Sequence, residues 1–318
     1  MKRVLVIVYS QSGQLERIVR AIIEPLESSP DVEVWVEHIR PRKPYPFPWN
    51  LREFFQAVPE CAHLNPPPME PFTFDPEAPW DLVIVAYQVW FLAPSLPAVG
   101  FLKSREGARV LRNRPVITVI GCREMWTMAH QKVKKLLDAH GASLIDNIVM
   151  IDRRSGLGSF FNTPFWLLTG KKATFFGWLP RPGVDEKDVR DGRRFGEAIL
   201  KGLLEGAVAR KETLLRGMGA VTIDSRLVPV EWAGEAFFQL WSFLARAAGP
   251  FGSLRRDPVI IFFALIFPLV LSTAVPTILV SQWLLKPVVG PFIARQVARY
   301  AEPSGCERGS SGEERDGA

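Results

Sequence analysis

The run Val4-Leu5-Val6-Ile7-Val8-Tyr9 is apolar at nearly every atom it presents. A strand with one wet face alternates apolar and polar residues. An unbroken run needs cover on both faces, as in a parallel sheet layered between helices. The first cover follows at once: after Ser10-Gln11-Ser12-Gly13-Gln14, residues Leu15, Ile18, Val19, Ile22 and Ile23 recur at helical spacing. Between strand and helix the turn aims backbone N–H groups and two hydroxyls at one point beside a helix N-terminus, which is an anion site by geometry. The turn holds neither Lys nor a carboxylate. Neutral donors of this kind suit a phosphate monoester better than the Mg-triphosphate of a Walker loop. An ordinary strand-to-helix turn with a Ser N-cap accounts for the same residues, and this stretch alone does not choose between the two.

Four further strands are expected. Val32–Ile39 alternates and reads as a strand near a sheet edge, with His38 at a solvent position. Asp81–Tyr87, Pro115–Gly121 and Ala142–Asp152 are more continuously apolar. Helices are expected over Ala129–His140, closed by Gly141, and over Val184–Leu200, whose acidic start complements its dipole. Strands alternating with helices imply a parallel sheet with right-handed crossovers. Residues 40–79 are too rich in proline for a long element, apart from a short helix near Asn50–Val58. Their aromatic residues make either a lid or a covering loop packed on itself. The 318 residues suit one domain with an extension. Cys61, Cys122 and Cys306 form neither a disulfide framework nor a CxxC pair, and no metal site is expected. The net charge of +6 is spread along the chain without a nucleic-acid motif, so a membrane surface is the expected partner and nucleic acid is not.

Strand, Ser10-x-Ser12-Gly13 and helix together resemble the FMN-phosphate loop of flavodoxin-like proteins, usually Thr/Ser-x-Thr/Ser-Gly-x-Thr. Leu15 departs from that pattern where a hydroxyl belongs. The resemblance implies an α/β, flavodoxin-like, doubly wound parallel five-stranded sheet of order 2-1-3-4-5. In that order the loops after strands one, three and four meet at the switch point. It implies FMN as cofactor, with Ser10, Gln11, Ser12, Gly13, Gln14 and Leu15 at the phosphate. Gln88, Val89, Trp90 and Phe91 follow the third strand, with Trp90 and Phe91 as a flat apolar wall for the isoalloxazine. Gly121, Cys122 and Arg123 follow the fourth. Arg123 is the residue expected to polarise a substrate or flavin oxygen, and Trp126 is a further expected contact. Tyr87 and His130 are the other catalytic candidates, and no general base is evident.

The flavodoxin-like part is expected to fill residues 1–205, with insertions at 40–79 and 153–182. The second insertion mixes aromatic and basic residues. It suits an interfacial membrane contact, a greasy channel or packing against the rest of the chain. Residues 206–256 are expected to hold a linker and an aromatic-rich helix over Glu231–Ala248. Pro258–Leu285 carries no formal charge and as a helix would be ~42 Å long, enough for a bilayer. Pro268 and Pro276 leave a transmembrane span and a re-entrant hairpin open over 257–287. Trp283 suits an interface, Arg255 and Arg256 on one side roughly balance Lys286, Arg295 and Arg299 on the other, and a basic then disordered tail fills 288–318.

Tyr9-Ser-Gln-Ser-Gly-Gln-Leu, Trp90, Gly121-Cys-Arg, Asn162-Thr-Pro-x-Trp-Leu-Leu-Thr-Gly-Lys and the late apolar segment together resemble the bacterial dialkylresorcinol condensing enzymes, which accompany a ketosynthase. That resemblance implies a membrane-associated FMN-dependent oxidoreductase at the cytoplasmic face of the inner membrane. It would aromatise a lipid-like cyclohexanedione to a dialkylresorcinol, with a ketosynthase as partner. A homodimer is a further expectation. An NAD(P)H:quinone reductase, a membrane-tethered electron carrier and a flavin-free scaffold are the alternatives.

Overall fold

The computed structural model describes residues 1–152 and 183–305; the aromatic insertion and its Asn162–Lys171 motif, with residues 306–318, lie outside the described residues. Five parallel strands, β1 (Lys2–Val8), β2 (Val32–His38), β3 (Leu82–Trp90), β5 (Pro115–Cys122) and β6 (Ser143–Ile151), lie in the order β2-β1-β3-β5-β6. A two-residue strand, β4 (Ala93–Pro94), turns back antiparallel on β3. Without it the order is the expected 2-1-3-4-5, so the fold is flavodoxin-like. Val4 to Val8 are all buried, as an unbroken apolar run requires.

Helix α1 (Gln14–Glu27) covers one face of the sheet with α6 (Glu186–Asp191) and α7 (Arg193–Leu204). The opposite face is covered by α3 (Leu96–Leu102), α4 (Arg105–Leu111) and α5 (Thr127–Ala139). The single closing helix expected over Val184–Leu200 is in fact two, divided at Gly192. A Cβ at Gly196 would run into the backbone carbonyl of Ile22, so α7 and α1 meet at backbone contact. Helix α2 (Leu51–Ala62) is the short helix expected in the proline-rich segment, N-capped by the Asn50 side chain on Glu53 N–H at 2.8 Å.

Residues after α7 fold back over the sheet. Ala220 C=O accepts from Val149 N–H at 2.8 Å, and Leu214 N–H donates to the buried Asp146 carboxylate at 2.7 Å. The free side of β6 is thereby partly covered. Helix α8 (Val228–Ala248) places the buried Glu231 carboxylate at the N-terminus of α5, where Thr127 Oγ1 and Met128 N–H each donate to it at 2.8 Å. Burial raises Glu231 to about 7 even though these donors pull the other way. Helix α9 (Asp257–Leu284) is one continuous helix through Pro268 and Pro276 and not a hairpin. Among the described residues it is the one helix long and apolar enough to cross a membrane. Helix α10 (Lys286–Ala301) brings the chain back to the sheet. Ser304 Oγ donates to Asp146 Oδ1 at 2.8 Å and accepts from Asn147 N–H at 2.7 Å.

Candidate functional site

The C-terminal ends of β1, β3, β5 and β6 converge on a cavity of about 300 Å³. Its position is the switch point of the sheet, where the connections from β1 and β3 diverge. Gln11, Ser12, Gln14 and Leu15 form one end, Gln88 to Phe91 a side, and Gly121 to Met125 the floor beside Asp152. Three loops singled out in sequence thus meet around one space.

The β1 loop is shaped by Gly13, whose φ of 77° is left-handed. A side chain there would be strained, although a Cβ would meet no atom. No side chain caps the N-terminus of α1, so its first N–H groups remain available. Ser10 Oγ is buried without a hydrogen-bond partner among the described residues. Ser10 and Gly13 do not themselves line the cavity. Leu15, the departure from the family loop, is buried on the inner face of α1, and a Cβ on Gly121 would press on its Cδ1. Leu15 therefore fills the space over Gly121.

Trp90 and Phe91 line the cavity as expected, on a hairpin tighter than a loop. Trp90 pairs with Ala93, leaving Phe91 and Leu92 as a two-residue turn with φ of 49° and 59°. Two positive φ values are what a type I′ turn demands and what Gly or Asn normally supplies. Two bulky residues here are strained, and the fold holds the strain where Phe91 meets the cavity. Trp90 packs edge-on against Tyr9, Tyr45 and Trp49. The proline-rich segment covers the site with Phe47, Trp49 and Phe54. It is stapled to the β1 loop: Trp49 Nε1 donates to Gln11 Oε1 at 3.1 Å, and Gln11 Nε2 donates to Pro46 C=O at 2.9 Å.

Arg123 Nη2 stands 3.5 Å from Asp152 Oδ2, which also accepts from Gly183 N–H at 2.6 Å. Burial lowers the Arg123 pKa, opposed by Asp152 and Glu124. Glu124 lines the same floor and is raised to about 7, by burial first and then by Asp224. The next residue, Met125, has a φ of 55°, a second strained position at the cavity wall. Burial pushes the Cys122 thiol well up, with Glu231, Glu124 and Asp152 adding to the rise, so it is a packed thiol and not an activated nucleophile.

Two expected catalytic residues stand elsewhere. Tyr87 and His130 are fully buried, with Tyr87 Oη 3.2 Å from His130 Nδ1, and neither lines the cavity. The cause is strand alternation and helix phase. Tyr87 points to the face of the sheet that α5 covers, and His130 meets it from the inner face of α5. Burial drives His130 down to about 3, so it is neutral at ordinary pH. Trp126 is likewise core, donating to Thr222 C=O at 3.2 Å. The sequence reading missed Glu124, Asp152 and two residues of α9, Phe267 and Leu271, that complete the wall. Adjacency to Arg123 was the one available signal for Glu124; nothing local marks the others.

The strand order and the cavity at its switch point define a flavodoxin-like fold. Solved structures of the class overlap the chain only in part. A flavoprotein from Lactobacillus acidophilus in complex with FMN is similar at 15% identity over 47% of this chain and 93% of its own, with a TM-score of 0.38. An archaeal flavodoxin is similar at 12% identity over 64% and 99%, with a TM-score of 0.32. The Trp repressor binding protein of Bacillus subtilis is similar at 7% identity over 52% and 98%, with a TM-score of 0.29. No protein-family model and no curated protein matches the chain.

Proposed function

We propose that the chain is a membrane-associated, FMN-dependent oxidoreductase acting on a lipid-like cyclic dione or quinone. The observation that carries this reading is the composition of one cavity. A neutral-donor anion loop closes one end, aromatic side chains form a side, and two residues of a long apolar helix complete the wall. The residues fit FMN. Ser12 at the cavity end and the uncapped start of α1 would hold a phosphate, while Trp90 and Phe91 would border a flat ring. FMN bound there would supply the acceptor for two electrons, which neither the cavity side chains nor a packed thiol provide. Arg123, steadied by Asp152, would orient a substrate carbonyl, and Glu124 would take or return a proton at the cavity floor.

Within this class we favour aromatisation of a dialkylcyclohexanedione to a dialkylresorcinol. That reaction removes two hydrogens from the ring, one as a proton and one with the electron pair. A carboxyl poised near neutrality suits the proton, and an apolar wall suits alkyl chains. The test begins with the purified full chain, which should be yellow or turn yellow with added FMN. A protein that stays colourless with FMN would sink the reading. Anaerobic bleaching by a synthetic dialkylcyclohexanedione, and none by NAD(P)H, is the expected outcome. Bleaching by NAD(P)H alone would make the protein a quinone reductase instead.

A further inference from the structure

We infer that α9 lies in the plane of the membrane as a monotopic contact, with one face docked on the protein and the other in one lipid leaflet. The inference rests on the membrane association proposed above and is independent of FMN. Ile260, Phe263, Phe267, Leu271 and Val275 recur at helical spacing and pack against α2, α8 or the cavity along the helix. Both ends are tied to the same domain. At the start, Arg256 is 1% exposed and its Nη2 donates to Glu60 Oε1 at 2.8 Å. At the end, Gln282 Nε2 donates to Arg226 C=O at 2.8 Å. A helix crossing a bilayer cannot keep a water-soluble domain against its start, middle and end. One lying on the surface can.

The opposite face is apolar and open: Ile261, Phe262, Leu265, Leu269, Val280 and Trp283 are all exposed. Among the described residues, the exposed large apolar side chains outside 240–292 are Met1, Trp35, Leu51 and Leu204, so this surface is concentrated on the C-terminal helices. Lipid, not a second copy, is the occupant that the rest of the face suits. The exposed hydroxyls of Ser272, Thr273 and Thr277 all donate to carbonyls of their own helix, at 3.0, 2.8 and 2.7 Å, and so need no water. Exposed Arg246 and Arg255 precede the helix, and exposed Lys286 and Arg295 follow it, where anionic headgroups would meet them. Phe267 and Leu271 face the cavity while Leu265 and Leu269 face outward, so one helix diameter, about 10 Å, separates the cavity from acyl chains. A substrate dissolved in the leaflet would reach the site by passing this helix.

The test adds one cysteine at a time, by Ile261→Cys, Leu269→Cys and Val280→Cys, to full-length protein carrying Cys306→Ser; Cys61 and Cys122 remain in that background, which serves as the labelling control. Each is labelled with a fluorophore and bound to vesicles of phosphatidylethanolamine and phosphatidylglycerol brominated either near the headgroup or near the chain ends. All three positions should be quenched most by the shallow bromine, at depths alike to within about 5 Å. A deep Leu269 between shallow Ile261 and Val280 would mean a crossing helix and overturn the inference while leaving membrane association intact. Protein that stays in the supernatant unquenched overturns both, and a dimer found there by sedimentation identifies a second copy as the true cover. Flavin absorbance read on the same samples keeps failure of the redox reading separate.

Discussion

Glu124 has its pKa raised from 4.5 to about 7, and the causes place it at the centre of a small charge set. Burial is the largest, Asp224 and Asp152 raise it further, and Arg226 and Arg123 pull it back. The folded state therefore keeps a proton that the unfolded chain releases at lower pH. Its contribution to stability is intact below about 4.5 and is lost as pH rises through about 7. Glu124→Gln should remove the ionisation near pH 7 from the pH profile of flavin reduction and slow the reaction by about 10²–10⁴-fold. FMN affinity should hold, because the phosphate end lies on other residues. In parallel, the thermal midpoint of the variant should gain on the parent between pH 5 and 8. An unchanged rate profile would move the proton-handling role elsewhere. The loops around this cavity were legible as segments because strand ends and turn residues are local signals, while Ser10 and Gly13 stay off its wall and Glu124 and Asp152 join it. Tyr87 and His130 were drawn to the wrong place because chemistry-bearing residues near a site are on it only if strand alternation and helix phase agree. Leu15 shows the reverse: an apparent defect in a binding loop is a packing residue whose partner, Gly121, is far off in sequence.

Helix α9 is rooted by charge. Arg256 donates to Glu60 Oε1, to Gln56 Oε1 at 3.3 Å and to Ala245 C=O at 3.0 Å, while Arg52 Nε meets the Asp257 carboxylate at 3.0 Å. Breaking a buried pair from one side leaves an uncompensated charge, which costs about 3–5 kcal/mol. Glu60→Ala should lower the unfolding free energy of the detergent-solubilised full chain, read from its urea transition, by that much. Adding Arg256→Met should recover part of the loss, since it removes the uncompensated buried charge. A double variant as unstable as the single one would show that the charges themselves hold the helix. Sequence disclosed that α9 exists but not that it docks. The docked face and the open face are both apolar, so no amphipathic period announces which side meets protein. The break at Gly192 left a signal in the spacing: Val189 and Phe195 stand six residues apart, off the i, i+4 face that Phe195 and Ile199 share, and the division reflects how α6 and α7 sit on α1.

At the scale of the molecule, the C-terminal third packs as part of the flavodoxin-like core. Each major surface of the first part is finished by a residue after Glu205. Thr127 N–H and Met128 N–H need Glu231, Trp126 Nε1 needs Thr222, Asn147 N–H needs Ser304, and Val149 N–H needs Ala220. The cavity needs Phe267 and Leu271, and the apolar side of α2 needs Phe238, Trp241 and Phe263. A chain stopped at Glu205 would strand those donors and open that apolar surface. Water can satisfy some of the donors, so each is best counted at the low end, about 1 kcal/mol. Even so, the total of roughly 5 kcal/mol, before any apolar exposure, matches the whole stability of a marginal domain. Residues 1–205 should therefore be expressed as a compact but loosely packed species. Dye binding to exposed apolar surface, a weak near-UV signal and a broad urea transition would mark it, with FMN affinity at least tenfold below that of the full chain. A sharp transition with full FMN affinity would make the third a dispensable attachment. That outcome would tie the proposed redox site and the proposed lipid-facing helix into one folding unit, with α9 as the wall that closes the cavity.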